Sequence, residues 1–305
     1  MRMLLSIMAA GLLLTSAPAL AAGTPTPEQA ALIRKYKAIL DGLHPVFGDV
    51  RVDRADALLH LGRAYYFLPA EEAKRVLVEG WGNPPDSVGD VLGMIFPAGT
   101  TFVDDGWGAV ITWLPTGYVS DVDAKSADYS AVIRDAQDQE RELNEERVKQ
   151  GFAAQHLVGW AQPPTYDAKN HSMIWAQDIK FGDNAEDTLN YDVRMLGRNG
   201  VLSINIVSAM SHLREIRPAA ATLARTAEYE KGFRYADYVP DVDKKAEFGL
   251  AGLVAAGVGV AAAKKLGLLA LFAVFAKKFF VLALALFAGV AGWLRRAFRK
   301  DKTGE

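Results

Sequence analysis

The sequence predicts an α+β protein, antiparallel strands with flanking helices, built from two duplicated halves and followed by a C-terminal transmembrane helix segment. Three observations carry that expectation. Apolar residues recur at helical spacing in residues 28–40, 69–78 and 124–150; two alternating strands flank Asn199-Gly200; and apolar runs crowd residues 248–294.

Residues 1–21 read as a signal peptide, with Arg2 in the n-region, an apolar stretch 3–14, Pro18, and small residues Ala19 and Ala21. Cleavage is expected after Ala21. The apolar core is about a dozen residues, short of the roughly twenty that cross a bilayer as a helix. Residues 22–245 then form the extracytoplasmic domain, 246–294 the membrane anchor, and 295–305 a basic tail. Within the anchor, the runs 248–263, 266–276 and 279–294 are separated by Lys264-Lys265 and Lys277-Lys278. Arg295, Arg296, Arg299, Lys300 and Lys302 follow the last run and favour the cytoplasmic side. The expected location is a bacterial inner membrane with the folded domain in the periplasm. Its expected partners are membrane lipids and envelope proteins.

The chain has 305 residues, no cysteine, and a formal charge of −2 from 34 basic and 36 acidic residues. A domain without cysteine is held by its core alone. No Lys/Arg cluster lies outside the C-terminal region, so nucleic acid is not an expected partner.

Along the domain, Ala31, Leu32, Tyr36 and Leu40 mark a first helix that Gly42 stops. Extended segments are expected at 50–52 and 64–68, after which Pro69 opens a helix through Val78. Asp121 or Asp123 is expected to cap the helix 124–150, whose second half reads as mostly solvated. Gly80-Trp81-Gly82-Asn83-Pro84-Pro85 returns 79 residues later as Gly159-Trp160-Ala161-Gln162-Pro163-Pro164, and Phe102 falls on Phe181 in the same register. This predicts an internal repeat, 80–113 and 159–192, with Trp81 superposing on Trp160.

The strands 189–195 and 201–207 flank the strongest hairpin signal in the chain, since a type I′ turn needs positive φ at both central residues. With Asn199-Gly200 as that turn, Met195 pairs with Ile204 and Val193 with Ile206. Asn190, Asp192, Arg194 and Asn205 gather on the opposite face.

The five histidines show no metal-ligand spacing, and no HExxH, G-x-S-x-G or Gly-rich phosphate loop occurs. No metal and no cofactor is expected. Two constellations could bind a ligand. Trp160, Tyr166, Asp167 and Trp175 could line a groove for a peptide or sugar, or be packed aromatics. On the polar hairpin face, Arg194 could hold an anion oriented by Asp192 and Asn190, or the face could meet solvent. The expected role is a non-enzymatic envelope binding or scaffolding module. The rival is a periplasmic enzyme acting on a peptide, glycan or lipid, with Asp167, His171 or Asp192 as acid–base groups.

Trp81-Gly82-Asn83-Pro84-Pro85, Gly117-Tyr118-Val119, Trp160, Pro164, Tyr166, Asp167, Trp175-Ala176 and Leu189-Asn190-Tyr191 form one set of motifs. Leu196-Gly197-Arg198, Gly200, 233–237, Asp243-Lys244 and Gly249-Leu250 complete it. Together they resemble a bacterial family of membrane-anchored proteins, domain of unknown function 2167, over residues 28–262. The resemblance implies envelope location and anchoring, and supplies no catalytic residue.

Overall fold

The computed structural model describes residues 27–83, 85–149, 151 and 153–258. Their centre is a seven-stranded antiparallel sheet. It comprises β3 (Tyr65–Pro69), β4 (Val91–Pro97), β5 (Gly108–Leu114), β7 (Gln155–Asp167), β8 (Ser172–Phe181), β9 (Thr188–Leu196) and β10 (Val201–Ala209). The spatial order is β3-β4-β5-β10-β9-β8-β7. A smaller sheet of β1 (Asp49–Val52), β2 (Ala57–His60) and β11 (Ala227–Tyr229) lies beside it, and β6 (Tyr118–Ser120) pairs in parallel with β12 (Lys245–Gly249).

Alternation along the strands decides what each face buries. One face presents Ile111, Val193, Leu202 and Ile204 to the small sheet and to α4 (Leu213–Thr226), which contributes Ile216, Ala220 and Leu223. The other face carries two separate apolar patches. Tyr66, Leu68, Met94 and Phe96 pack under α1 (Pro27–Leu40) and α2 (Ala70–Arg75), which continues as a π-helical turn Val76–Gly80. Met173, Trp175 and Ile179 pack under α3 (Tyr129–Lys149) and α5 (Leu250–Gly257). The α+β class, with antiparallel strands and flanking helices, is as the sequence predicts.

Several details differ. Asp128, rather than Asp121 or Asp123, caps α3, its Oδ1 accepting from the Ser130 and Ala131 amides at 3.0 Å each. Asp123 caps α5 instead, with Oδ1 and Oδ2 accepting from Leu250 and Ala251 at 3.0 Å each. A carboxylate caps whichever helix start the fold brings to it.

The second half of α3 is not merely solvated. Gln137 Nε2 donates to Leu157 O at 2.9 Å, Asn144 bonds both the Gln155 carbonyl and its amide at 2.7 Å, and Arg147 Nε donates to Ala153 O at 3.1 Å. Glu140 accepts from the Leu157 amide. One stripe of polar side chains thus meets the backbone at the start of β7 much as a neighbouring strand would.

The hairpin register also differs. Met195 pairs with Leu202 and Val193 with Ile204, two residues from the expected pairing, and neither Asn199 nor Gly200 has positive φ. The four-residue loop is closed by the Gly197 amide donating to Gly200 O at 2.9 Å, and is held by Arg198 N–H to Phe233 O and Gly117 N–H to Asn199 O. These tertiary bonds outweigh the local turn preference. A slip of two residues preserves sidedness, so Asn190, Asp192, Arg194 and Asn205 still share a face.

The expected superposition of the repeats fails at its first motif. Gly80 ends a helical turn and Trp81 follows it, whereas Trp160 lies inside β7. The later pairs, β4 with β8 and β5 with β9, occupy mirrored places on either side of β10.

At the C-terminal end, the expected anchor boundary at residue 246 falls inside the folded domain. β12 pairs with β6, and Leu250, Leu253 and Val254 of α5 are core residues. Among the described residues no helix is long and apolar enough to cross a membrane. The expected signal peptide, most of the expected anchor, and the tail lie outside the described residues.

Gly200 is required by close approach rather than by φ, because a Cβ there would sit 2.2 Å from Leu114 O and 2.7 Å from the Trp113 ring. Gly200→Val is expected to destabilise the domain by about 1–3 kcal/mol, the usual cost of overpacking. An unchanged melting temperature would contradict this packing.

Candidate functional site

Residues opposite one another in an antiparallel ladder share a face, so the registers arrange the middle of the helix-covered face into rows. One row runs Thr112, Ser203, Arg194, Met173, Tyr166 across five strands. The next runs Val110, Asn205, Asp192, Trp175. A third runs Val207, Asn190, Gln177, Trp160. Six of the seven residues expected to bind a ligand therefore share one face: Trp160, Tyr166, Trp175, Asn190, Asp192 and Arg194. Asp167 does not join them.

The rows between the two apolar patches are polar and buried, so solvent exposure does not account for this face. Asp192 is fully buried, and Arg194 and Asn190 are each 4% exposed. Arg194 donates from Nε at 3.1 Å and from Nη2 at 2.8 Å, both to Asp192 Oδ1, and its guanidinium lies 5.4 Å from the Trp175 ring centre. Within the fold, the anion that Arg194 holds is the Asp192 carboxylate.

Both guanidinium bonds fall on one oxygen, leaving Asp192 Oδ2 without a partner. Asn190 Oδ1, Gln177 Oε1, Asn205 Nδ2 and Trp175 Nε1 are likewise unpartnered. Burial raises the Asp192 carboxyl above its usual value, while the charge and hydrogen bonds of Arg194 and the nearby Asn205 amide pull it down. Asn205 faces Asp192 across the ladder and favours its charged form, yet its Nδ2 closes no hydrogen bond of normal geometry. Burial is the larger effect, because the carboxylate has exchanged all its water for one guanidinium and a half-engaged amide.

The aromatic expectation divides. Trp175 is a core side chain, and the Trp160 indole donates to Tyr129 O at 3.2 Å, so these two tryptophans pack rather than line an open groove. Asp167 caps the β7–β8 turn. Its Oδ1 accepts from the Lys169 amide at 2.9 Å and its Oδ2 from Asn170 Nδ2 at 2.5 Å, bonds that hold its carboxyl below the usual range. A carboxylate so engaged holds the turn.

At the same end of the sheet is a cluster that linear motif searching missed. Tyr166 O–H donates to Asp121 Oδ2 at 2.8 Å, and His171 Nδ1 lies 3.2 Å from the same phenol oxygen. The His171 ring stacks on Tyr235 at 4.3 Å, Tyr235 on Tyr118 at 4.5 Å, and Tyr118 on Tyr238 at 3.8 Å. Arg198 is bonded to Asp243 nearby in sequence to this column, through Nε at 2.7 Å and Nη2 at 2.8 Å. His44, His60 and His156 instead form exposed pairs with Glu72, Asp49 and Glu140. Among the described residues no group of three or more His, Asp or Glu could hold a metal ion.

The model of a family described as a protein of unknown function, DUF2167, matches residues 44–288. The chain belongs to that family. DUF2167 carries no assigned activity in its description. Among curated proteins none matches the chain. One similar solved structure is cyanobacterial PsbP from Synechocystis, at 11% identity and a TM-score of 0.36, covering 62% of this chain and 92% of that one. A likeness of that size carries no argument here. The residues on which the resemblance to the DUF2167 family rests are informative in space: Tyr166 and Tyr235, scattered in sequence, meet at His171, and Tyr118 stacks on Tyr235. That motif set was the one signal that could have found the cluster.

Because Asp192 holds its proton to higher pH in the folded protein than in the unfolded chain, stability from this group is lost as pH rises above 3.8 through the raised value. Asparagine does not titrate. The stability of Asp192→Asn relative to wild type should therefore climb as pH rises above the ordinary aspartate value of 3.8 in urea denaturation. A relative stability that falls instead would contradict the buried carboxyl.

Proposed function

We propose that this DUF2167 chain is a non-enzymatic binding module of the bacterial cell envelope that takes a small polar ligand on the rows around Asp192. What supports this reading is a set of buried, unpartnered side-chain atoms: Asp192 Oδ2, Asn190 Oδ1, Gln177 Oε1, Asn205 Nδ2 and Trp175 Nε1. An unsatisfied buried polar group costs about 1–3 kcal/mol, so five of them cost on the order of the whole stability of a domain. A ligand supplying matched donors and acceptors offsets that cost. The set mixes acceptors with donors around a neutralised ion pair, which suits a small molecule carrying both kinds of group and no net charge.

Placement in the envelope is part of the same proposal. Residues 1–21 have the pattern of an export signal, and the apolar runs after α5 would tether the domain to membrane lipid. Envelope proteins are the macromolecular partners this arrangement would meet; the near-balanced charge offers nucleic acid no basic surface. A second reading, a periplasmic enzyme acting on a peptide, glycan or lipid, is favoured by one observation, the Asp121, Tyr166 and His171 chain of hydrogen bonds.

Replacing a buried ion pair with apolar residues of similar volume is commonly neutral or stabilising by about 1–4 kcal/mol. The double variant Asp192→Leu, Arg194→Met should accordingly fold at least as stably as wild type while losing its ligand. Native mass spectrometry of both proteins, purified from the envelope, is the check. Wild type is expected to carry a bound small molecule that the double variant lacks, and identical ligand-free spectra would sink the proposal.

A further inference from the structure

One end of the face covered by α4 carries ionisable side chains that the Asp192 rows do not use. In the ladder, Asp178 of β8 lies opposite Leu189 of β9, and Leu189 opposite Ser208 of β10. Asp187, two residues before Leu189, continues that ladder, its carbonyl accepting from the Met210 amide at 2.9 Å. Period two then puts the Asp178 and Asp187 side chains on one side of the sheet, diagonal to each other.

The two carboxyls are within hydrogen-bonding reach of each other. As carboxylates both would only accept, and Asp178 Oδ1 is buried with no donor among the described residues. One proton held between them turns the contact into a hydrogen bond and removes one of two like charges. Burial, then the Asp187 charge and the hydrogen bond, accordingly raise the Asp178 carboxyl above its usual value. The other charged groups on the elements packed about this corner are Lys180 on β8, Asp183 and Glu186 on the β8–β9 turn, Asp105 on the loop before β5, and His212 and Arg217 at the start of α4. Arg217 is engaged by Ala161 O at 3.2 Å.

The β8–β9 turn holds the start of α4. Besides the bond from Met210 to Asp187, Glu186 Oε1 accepts from the Ser211 amide at 3.2 Å. Both amides belong to the 3-10 turn Met210–His212 that runs into α4. The third residue of that turn is fixed in a way that does not depend on charge. Ser208 gives its one proton to Gly106 O at 2.8 Å, so His212 Nδ1, 2.8 Å from the same hydroxyl, is the donor there, and Nδ1 keeps its proton in the neutral ring and in the cation alike. From His212 Nε2 to Asp105 is 3.8 Å, and Asp105 is 74% exposed, so that contact is weak.

We infer that the β8–β9 turn is a proton-dependent clasp on the start of α4: one proton between Asp178 and Asp187 keeps it closed, and ionisation of both carboxyls frees the Met210–His212 turn. Beneath it Leu189 is fully buried and Leu213 packs against the same apolar layer, so opening wets the end of that layer. Opening also returns Asp178 to its ordinary value and releases one proton. Between 3.8 and the raised value the opening constant therefore grows about tenfold per pH unit, and above the raised value it levels off. The clasp lies on the face opposite the Asp192 rows and is independent of the ligand placed there.

The test is hydrogen–deuterium exchange of the full chain, read by mass spectrometry on peptides covering Met210 to Leu213 and divided by the intrinsic exchange rate at each pH. Protection in wild type is expected to fall by up to about tenfold per pH unit above 3.8 and then to level off. Asp178→Asn cannot ionise, and its amide can donate to the Asp187 carboxylate, so its protection should stay constant over the same range. The fall should persist in His212→Gln and in Asp192→Asn. If Asp178→Asn does not fold, Asp187→Asn removes the other half of the pair and is read in the same way. Flat protection in wild type overturns the clasp. So does a fall that persists in Asp178→Asn, or one that disappears in His212→Gln, which would assign the proton to the histidine.

Discussion

A seven-stranded antiparallel sheet has two faces and two edges, and the rest of this structure follows from how the chain covers them. One edge, β3, is met by Val46, which exchanges both backbone hydrogen bonds with Phe67. The other, β7, is met by a helix. Gln137, Glu140 and Asn144 recur at helical spacing on α3 and reach the β7 backbone, and Arg147 reaches Ala153 just before it, so a segment with little apolar burial is nonetheless held in place. An exposed strand edge is a template for pairing with other chains, and this stripe covers the first residues of β7, Gln155 to Val158.

The faces are solved differently. α4 and the small sheet close one of them with aliphatic side chains. On the other, two helix pairs stand over the two flanks, and the strands between them carry Thr112, Ser203, Asn205, Asp192 and Arg194. A charged pair at this depth is weak support for stability, since the desolvation of two ions rivals their attraction. Its retention beside four unpartnered amide and indole atoms is what turns a packing detail into a candidate site. Tyr166 shares this face, joined to Arg194 through Met173.

Much of this was legible in sequence, for reasons that also explain what was not. Period-two alternation in 189–195 and 201–207 identified which side chains share a face, and it survived an error of two residues in register because the period is two. The same alternation says nothing about what covers the polar face, so burial of Asp192 and Arg194 could not be read from it. Asn199-Gly200 obeys local turn preference in isolation, but Phe233 and Gly117 bond to the loop from distant segments. Asp121 or Asp123 was expected to cap α3, but their partners, Tyr166 and the start of α5, lie 45 and 127 residues away. The His171 cluster is assembled from three separate segments, 118–121, 166–171 and 235–238, and has no linear signature, although the motifs shared with the DUF2167 family touch three of its rings.

The central claim is that Asp192 and Arg194 form an ion pair inside the sheet-helix layer. Hydrogen exchange at Arg194 Nε–H, followed by NMR, reports on it directly. The account predicts protection comparable to that of the β9 backbone amides, because this N–H is buried and bonded to Asp192 Oδ1. Exchange as fast as that of Arg51, whose side chain is 54% exposed, would contradict it.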